Sequence, residues 1–451
     1  MFSTTDTIVA IATPPGRGGI GVVRLSGASA HAIAVQLLAR ESGFEPRHAT
    51  LGEIRGGSAA AIDQVIVTYF PAPASYTGDA VVEISAHGSP VILRGIVEAA
   101  SDRGARLAEP GEFTLRAYLN GRIDLMQAEA IGDLIDAVTP LQARTAFDQL
   151  QGTLTRAITE IDRALFDVIA RLEASVDFPD EGYHFVDPAG AAAEIDGVAD
   201  RVAALLVGAR RGRLVREGLQ IAIVGKPNVG KSSLFNALVG AERAIVNAAP
   251  GTTRDLVSET IDLEGLRVTL VDTAGLRETD DVVELEGVAR SKSAATVADL
   301  ILVVSDQSHD FDQFPGNTLL VANKSDIGVR RVSDPSGSTP GVRHPSDPVR
   351  VSAITGDGLD ELRRRILGAL DIELVADRPA ITNMRHIALV ERARDALLRA
   401  RHAALADGQS LSEEFVLADL QDARAALEEI TGKRAPEDLL AHIFARFCIG
   451  K

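Results

Sequence analysis

The spacing of apolar positions changes character three times along the chain. Up to about residue 117, short β-branched runs alternate with helical stretches. Ile8 to Ile11, Gly21 to Leu25, Gln64 to Tyr69 and Ala80 to Ser85 read as strands bounded by Gly and Pro, with Ala28 to Leu38 and Val91 to Ala100 as helices. The pattern predicts an α+β segment. From about 118 to 214 the period lengthens to three and four. Leu150, Leu154, Ile158, Ile161, Leu165, Val168, Leu172 and Val176 form one stripe, with Arg156, Glu160, Asp162 and Arg163 off it. This predicts a single long amphipathic helix packing into a core. Between about 215 and 371, buried-type strands at Leu219 to Val224, Val268 to Val271, Leu300 to Val304 and Leu319 to Ala322 alternate with helices, the signature of a parallel sheet flanked by helices. After Asp371 helical periodicity returns, through Ile387, Leu389, Val390, Ala393, Leu397 and Leu398, then Leu417, Leu420, Ala423 and Leu427. Helical stretches on either side of an α/β block predict a helical domain with that block inserted. Residues 327–350 are rich in Pro, Ser, Gly and Arg without a period, and read as a long loop.

A length of 451 residues gives a prior near three domains. Four segments follow from the pattern: an α+β segment at 1–117, a first helical segment at 118–214, an α/β unit at 215–371 and a second helical segment at 372–451. The composition, 46% apolar and 24% charged, is that of a globular chain, not a disordered or fibrous one. A formal charge of −17 repels nucleic acid as a global field, so any such partner must be met locally. Of the 46 basic residues only Lys226, Lys231, Lys292, Lys324, Lys433 and Lys451 are lysines. The single cysteine, Cys448, cannot form an internal disulfide, so nothing requires an oxidising compartment. The start lacks the basic and apolar regions of a signal peptide, and no long uncharged apolar run occurs. The expected location is cytoplasmic, with no membrane span.

The strongest local signal is Gly225-Lys226-Pro227-Asn228-Val229-Gly230-Lys231-Ser232, between an apolar strand and a helix-like run opening with Ser233. The glycines let backbone N–H groups turn inward around phosphates at a helix N-terminus. Lys231 reaches the β and γ phosphates, and the Ser232 hydroxyl is placed for Mg²⁺. Asp272-Thr273-Ala274-Gly275 ends another strand, with a carboxylate for the metal and a Gly275 N–H for the γ-phosphate. Asn323-Lys324-Ser325-Asp326 ends a third. There Asp326 can accept the N1–H and N2–H₂ donors of guanine together, a pair that adenine lacks. Ser352-Ala353 follows a strand and offers a backbone N–H to guanine O6. Gly251-Thr252-Thr253 lies where a switch closes over the metal. Order and spacing together predict a GTPase.

Leu276 stands where many GTPases carry a water-orienting Gln, so another residue must do that work. The following segment offers Glu278, Asp280, Asp281, Glu284 and Glu286. Asn228 admits two readings: its amide oxygen as a ligand for a monovalent cation, or a turn-favouring Asn. The basic run Arg201, Arg210, Arg211, Arg213 and Arg216 reads as a solvated helix in preference to a phosphate contact.

These motifs and both ends of the chain resemble the MnmE (TrmE) family of bacterial tRNA-modification GTPases. Near the start, the resemblance rests on Asp6-Thr7-Ile8-Val9-Ala10 and Ala12-Thr13-Pro14-Pro15-Gly16-Arg17-Gly18-Gly19-Ile20-Gly21. It continues in Ser75-Tyr76-Thr77-Gly78, Glu83, His87-Gly88, Pro110-Gly111-Glu112-Phe113-Thr114 and Asn120-Gly121-Arg122-Ile123-Asp124-Leu125, and ends in Phe447-Cys448-Ile449-Gly450-Lys451. It implies a multidomain α/β chain: a folate-binding, dimerising α+β domain, a helical domain, and an inserted P-loop GTPase domain with a mixed, mostly parallel sheet. It also implies an activity: with a flavin-dependent (MnmG/GidA-like) partner carrying FAD, in a heterotetramer, the protein builds an aminomethyl or carboxymethylaminomethyl group on C5 of the wobble uridine of tRNA. The one-carbon unit comes from a tetrahydrofolate derivative, and GTP hydrolysis is stimulated by K⁺-dependent dimerisation of the G domains. The implied nucleotide contacts are Asn228, Val229, Gly230, Lys231, Ser232 and Ser233; Asn247, Ala248, Ala249, Pro250, Gly251, Thr252 and Thr253; Asp272, Thr273, Ala274 and Gly275; and Asn323, Lys324, Ser325, Asp326, Ser352 and Ala353. Asn228, Asn247, Ala249 and Thr252 match the K⁺ ligands, and Ser232 and Thr253 those of Mg²⁺. Glu284 matches the residue that positions the attacking water, while Cys448 is implied to lie near the chemistry. Arg24, Glu83, Arg122 and Lys451 match the folate site. Two departures stand out: Thr77-Gly78-Asp79-Ala80 where the family reads T-G-E-D, and Arg122 where Lys is common. The competing function is a GTP-switched RNA-binding or ribosome-assembly factor without modification chemistry.

Overall fold

The computed structural model describes residues 5–56, 60–177, 188–241, 243–244, 257–272, 298–306, 317–327, 347–370, 381–405 and 413–450. By contacts the chain divides into two compact units. One comprises Met1–Gly132, Phe147–Asp200 and Arg392–Lys451; the other comprises Asp133–Ala146 and Arg201–Glu391.

The first unit is built on a six-stranded sheet of β1 (Ile8–Ile11), β2 (Gly18–Ser26), β3 (Thr50–Arg55), β4 (Ala61–Phe70), β5 (Val81–Gly88) and β6 (Arg106–Leu107), in the order β3-β4-β5-β2-β1-β6. All neighbours are antiparallel except β1 and β6. Alternation sorts the residues by face. Val9, Val23, Leu25, Val65, Val67, Val82 and Ile84 are buried with Ile33, Ala34 and Leu37 of helix α1 (Ala30–Leu37) and with Leu93, Ile96 and Ala100 of α2 (Pro90–Ser101). On the other face Ile8 and Ala10 pack with Phe113 of α3 (Glu112–Leu119). Farther along the sheet, Leu51 and Ile66 are exposed.

The helical part of this unit includes α4 (Leu125–Asp136), α5 (Pro140–Leu150), α6 (Thr153–Asp177), α7 (Pro188–Leu206), and later helices; parts of α4, α5 and α7 belong to the other unit. The stripe expected from Leu150 onward is broken. Leu150 closes α5, and Gly152, at φ +74°, separates it from α6. A left-handed residue ends a helix even where the apolar period runs on. From Leu154 to Leu172 the stripe is buried as expected.

The second unit holds α8 (Ala209–Glu217), β7 (Leu219–Val224), α9 (Lys231–Ala241), β8 (Arg243–Ala244), β9 (Val257–Leu263), β10 (Leu266–Asp272), β11 (Leu300–Ser305), β12 (Thr318–Ala322), β13 (Val349–Arg350) and α10 (Leu359–Ala369). Strand order is β13-β12-β11-β7-β10-β9-β8. The β13 to β10 run is parallel, whereas β9 and β8 pair antiparallel at one edge. Leu-Ile-Leu-Val-Val-Ser of β11 is buried throughout because both faces of the strand are covered. The chain continues through α11 (Met384–Leu405), α12 (Glu413–Thr431) and α13 (Glu437–Phe444). In α11, Ile387, Leu389, Val390, Ala393 and Leu397 are buried as the period predicts, but Leu398 is 40% exposed, one position past the stripe. The loop expected at 327–350 lies mostly outside the described residues.

Candidate functional site

Parallel strands end together, so their C-terminal ends collect loops at the point where strand order reverses. Here β7 lies between β11 and β10, and the loop 225–230 runs from its end to α9. Gly225 sits at φ +146°, and a Cβ there would lie 2.1 Å from the Val304 carbonyl oxygen. At Gly230, φ +91°, a Cβ would meet Asn323 Nδ2 at 2.3 Å. Neither position admits a side chain. Lys231 Nζ spans the loop, donating to the Gly225 and Lys226 carbonyls, each at 2.9 Å.

Asn323, 2% exposed, ties three segments together. Its Nδ2 donates to the Val229 carbonyl at 3.1 Å, while its Oδ1 accepts Ala353 N–H at 3.1 Å. Lys324 Nζ reaches the Asn228 carbonyl at 2.7 Å and Asp306 Oδ2 at 3.2 Å. The phosphate loop and the two base-reading motifs are therefore one hydrogen-bonded assembly. Asp306 has no motif signal; its role shows only in the fold. Asp326 stands exposed on a short 3₁₀ turn, Ser325–Ile327. Ser352, fully buried, donates its backbone N–H to Asp357. At the foot of the loop Ser232 Oγ donates to Asp272 Oδ2 at 2.8 Å, bringing together the hydroxyl and carboxylate oxygens that Mg²⁺ takes. Asn228 is exposed at φ +64°. Asn tolerates this left-handed conformation better than most residues, so the backbone alone is a sufficient reason for its presence. Asn247, Ala248, Ala249, Pro250, Gly251, Thr252, Thr253, Thr273, Ala274, Gly275 and Glu284 lie outside the described residues.

The first unit gathers a second constellation from both ends of the chain. Arg24 and Glu83 face one another across β2 and β5, with Arg24 Nε donating to Glu83 Oε1 at 2.9 Å. Arg24 Nη1 donates to the Gly450 carbonyl at 3.4 Å. Its guanidinium lies 5.5 Å from the centre of the Tyr76 ring and 5.7 Å from that of Phe113, within cation–π range. The terminal segment is anchored by a bridge between Ile449 and Pro110. It is also held by Gly450, whose Cβ would lie 2.2 Å from the Ile11 carbonyl oxygen at φ +97°. Cys448, two residues earlier, is exposed; Lys451 lies outside the described residues.

Arg122 approaches the same loop by another route. Gly78, at φ +86°, packs on Asn120 and leaves only 3.4 Å between its Cβ position and Arg122 Cγ. Asn120 Nδ2 donates to the Thr77 carbonyl at 2.8 Å. Tyr76 OH is 2.8 Å from Thr114 Oγ1, and desolvation holds its phenol above the ordinary value. Asp79, the departure noted above, has Oδ2 buried with no hydrogen-bond partner among the described residues.

Beneath this constellation lies an ion network that the sequence did not signal. Arg116, 1% exposed, donates to Asp6 Oδ1 at 2.6 Å and to Glu112 Oε1 at 2.9 Å; Arg106 bridges the same two carboxylates. The Arg106 hydrogen bond is the main reason Asp6 titrates below the usual carboxylate range. Burial pushes Glu112 upward, but Arg106, the Glu109 N–H and Arg116 outweigh it and leave the group depressed.

The family model for the MnmE helical domain matches residues 125–448, and that for the TrmE N-terminus, described as a GTP-binding protein, matches 7–122. A tRNA modification GTPase MnmE from Koribacter versatilis is 46% identical, with 99% of each chain covered. Proteins of the same name from Thiobacillus denitrificans and Azoarcus are 42% and 41% identical, covering 99% of this chain and 98% of theirs.

Proposed function

Because the chain belongs to the MnmE family of tRNA-modification GTPases, we propose that its GTP hydrolysis drives installation of an aminomethyl or carboxymethylaminomethyl group on C5 of the wobble uridine. In this reading residues 215–371 form the GTPase domain, 118–214 and 372–451 the helical domain, and 1–117 the folate-binding and dimerising domain. The protein acts in the cytoplasm as a homodimer, with tRNA and a flavin-dependent partner that carries FAD. The described helices include none long and apolar enough to cross a membrane.

The observation that carries the reading is the seating of the C-terminal segment beside Arg24. A GTP-controlled binding switch has no need of its last residues there. The residues fit a reduced folate: an arginine flanked by two aromatic rings, and at Asp79 Oδ2 a buried acceptor awaiting an N–H donor of the kind a pterin ring presents. Arg24, Glu83, Arg122 and Lys451 hold the folate, whose bound one-carbon unit supplies the carbon added to uridine. In this reading Cys448, exposed two residues before Gly450, acts near the one-carbon chemistry.

At the nucleotide, Lys231 offsets the β and γ phosphate charge, and Asp326 selects guanine. Ser232 and Thr253 hold Mg²⁺, which neutralises charge between the phosphates. Asn228, Asn247, Ala249 and Thr252 hold K⁺, which supplies the positive charge that an arginine finger gives elsewhere. Glu284 orients the attacking water, where Leu276 cannot.

The test is reconstitution with the flavin partner, GTP, K⁺, ammonium or glycine as the source of the amine nitrogen, and an unmodified tRNA transcript, with and without 5,10-methylenetetrahydrofolate. Product on C5 that requires the folate supports the reading; equal product without any folate overturns the folate assignment.

A further inference from the structure

His87 and Asp63 form a second polar pair on the N-terminal sheet. Asp63 Oδ1 lies 2.8 Å from His87 Nδ1, and Oδ2 accepts the His87 backbone N–H at 2.8 Å. The Asp63 side chain is only 10% exposed, whereas that of His87 is 71% exposed. The β4–β5 ladder ends at Ile66 and Ser85, so the carboxylate takes over the backbone bond that the ladder no longer makes. The His87 and Gln64 N–H groups also hold Asp63 below the usual carboxylate range, against the upward push of burial. An ionised acceptor at Nδ1 fixes the tautomer, leaving Nε2 as the nitrogen turned to solvent.

Glu83, Ser85 and His87 alternate onto the same face of β5. His87 therefore stands about 13 Å along the strand from the Arg24–Glu83 pair, within the length of a pterin joined to an aminobenzoate. Opposite it, the Gly18 backbone crosses Gly88 so closely that a Cβ on Gly88 would lie 2.5 Å from the Gly18 carbonyl oxygen. The other charged groups on neighbouring elements are the Glu53–Arg55 pair on β3, Arg17 before β2, and Glu98 and Arg94 on α2, the Arg94 Nε being bonded to the Pro90 carbonyl.

We propose that His87, held by Asp63, is the proton-transfer residue of the N-terminal site, exchanging a proton between Nε2 and a heteroatom of a reduced-folate ligand laid along β5. The imidazolium gives up its Nε2 proton to the ligand and regains one from water. Asp63 stays ionised throughout and steadies the charged ring, so each cycle balances without any further reactant. The identity of the ligand rests on the folate reading above; the existence of an outward-facing, carboxylate-held imidazole does not.

The experiment uses the full chain with its flavin partner and compares three variants. His87→Asn keeps an N–H where Nδ1 stood, and so keeps the Asp63 clamp while removing Nε2. Asp63→Asn removes the ionised orienting group. His87→Gly leaves room for added imidazole. The expected result for His87→Asn is a 10²- to 10⁴-fold slower modification rate, a pH–rate profile that differs from that of the native chain, and folate affinity within about threefold by calorimetry. In His87→Gly, imidazole restores at least tenfold of the lost rate. A His87→Asn variant with native rate and pH profile overturns the proposal, as does a slow His87→Gly variant that imidazole does not rescue. Failure of the native chain to bind the folate overturns the folate reading instead, and imidazole rescue then still decides the role of His87.

Discussion

Asn228 shows how one residue can satisfy two demands, and how they are separated. Its φ of +64° suits Asn, and it suits Gly better. Asn228→Gly therefore keeps the loop, and the backbone carbonyl that Lys324 bonds, while deleting the side-chain carboxamide with its oxygen. GTP affinity is expected to stay within a few-fold of native, while the advantage of K⁺ over Na⁺ in hydrolysis disappears; steady-state rates in the two salts check it, and a K⁺ advantage that survives removes Asn228 from the cation site. The nucleotide motifs were legible at this scale because each is a short string whose chemistry is local. Asp306, which holds Lys324, and Asp63, which holds His87, were not, because only sheet register brings them to their partners. The Arg24–Glu83–Gly450 contact joins residues 59 and 426 positions apart. Family resemblance marked those residues; no spacing rule could.

Among the elements, central strands were read nearly residue for residue, since a strand covered on both faces is written as one apolar run. Strand β3 (Thr-Leu-Gly-Glu-Ile-Arg) was missed: it is an edge strand with only Ile54 buried and Leu51 turned outward, so it carries no such run. The helix break at Gly152 was hidden because the apolar period continues across it. The terminal segment is the element on which the folate reading depends most. Gly450→Ala places a Cβ against the Ile11 carbonyl oxygen at a left-handed φ, a strain of about 1–3 kcal/mol. Amide exchange at Phe447 to Gly450 is expected to quicken at least about tenfold while α1 and α2 stay protected. Unchanged exchange would mean that the segment is not held as described.

For the molecule as a whole, the charge of −17 matters through where its carboxylates are satisfied. Asp6 and Glu112 both titrate below their unfolded values, so their contribution is complete above the ordinary carboxylate range and fades as pH falls through their depressed values. Melting curves from pH 7 to 3 are expected to show stability falling below about pH 4. Asp6→Asn should be less stable at pH 7 but less sensitive to acid; an identical acid slope in that variant would remove the network from the account. The acidic field also requires that tRNA be met locally or through the partner protein, with Arg213 and Arg216 already engaged by Glu217 and Asp133. The central claim, that this GTPase serves wobble-uridine modification, is tested most directly by mass spectrometry of tRNA nucleosides from a strain lacking the gene and from the same strain carrying it. The C5 aminomethyl or carboxymethylaminomethyl uridines are expected to vanish in the first and return in the second; unchanged wobble uridines in the deletion strain would show that the GTPase does not serve this modification.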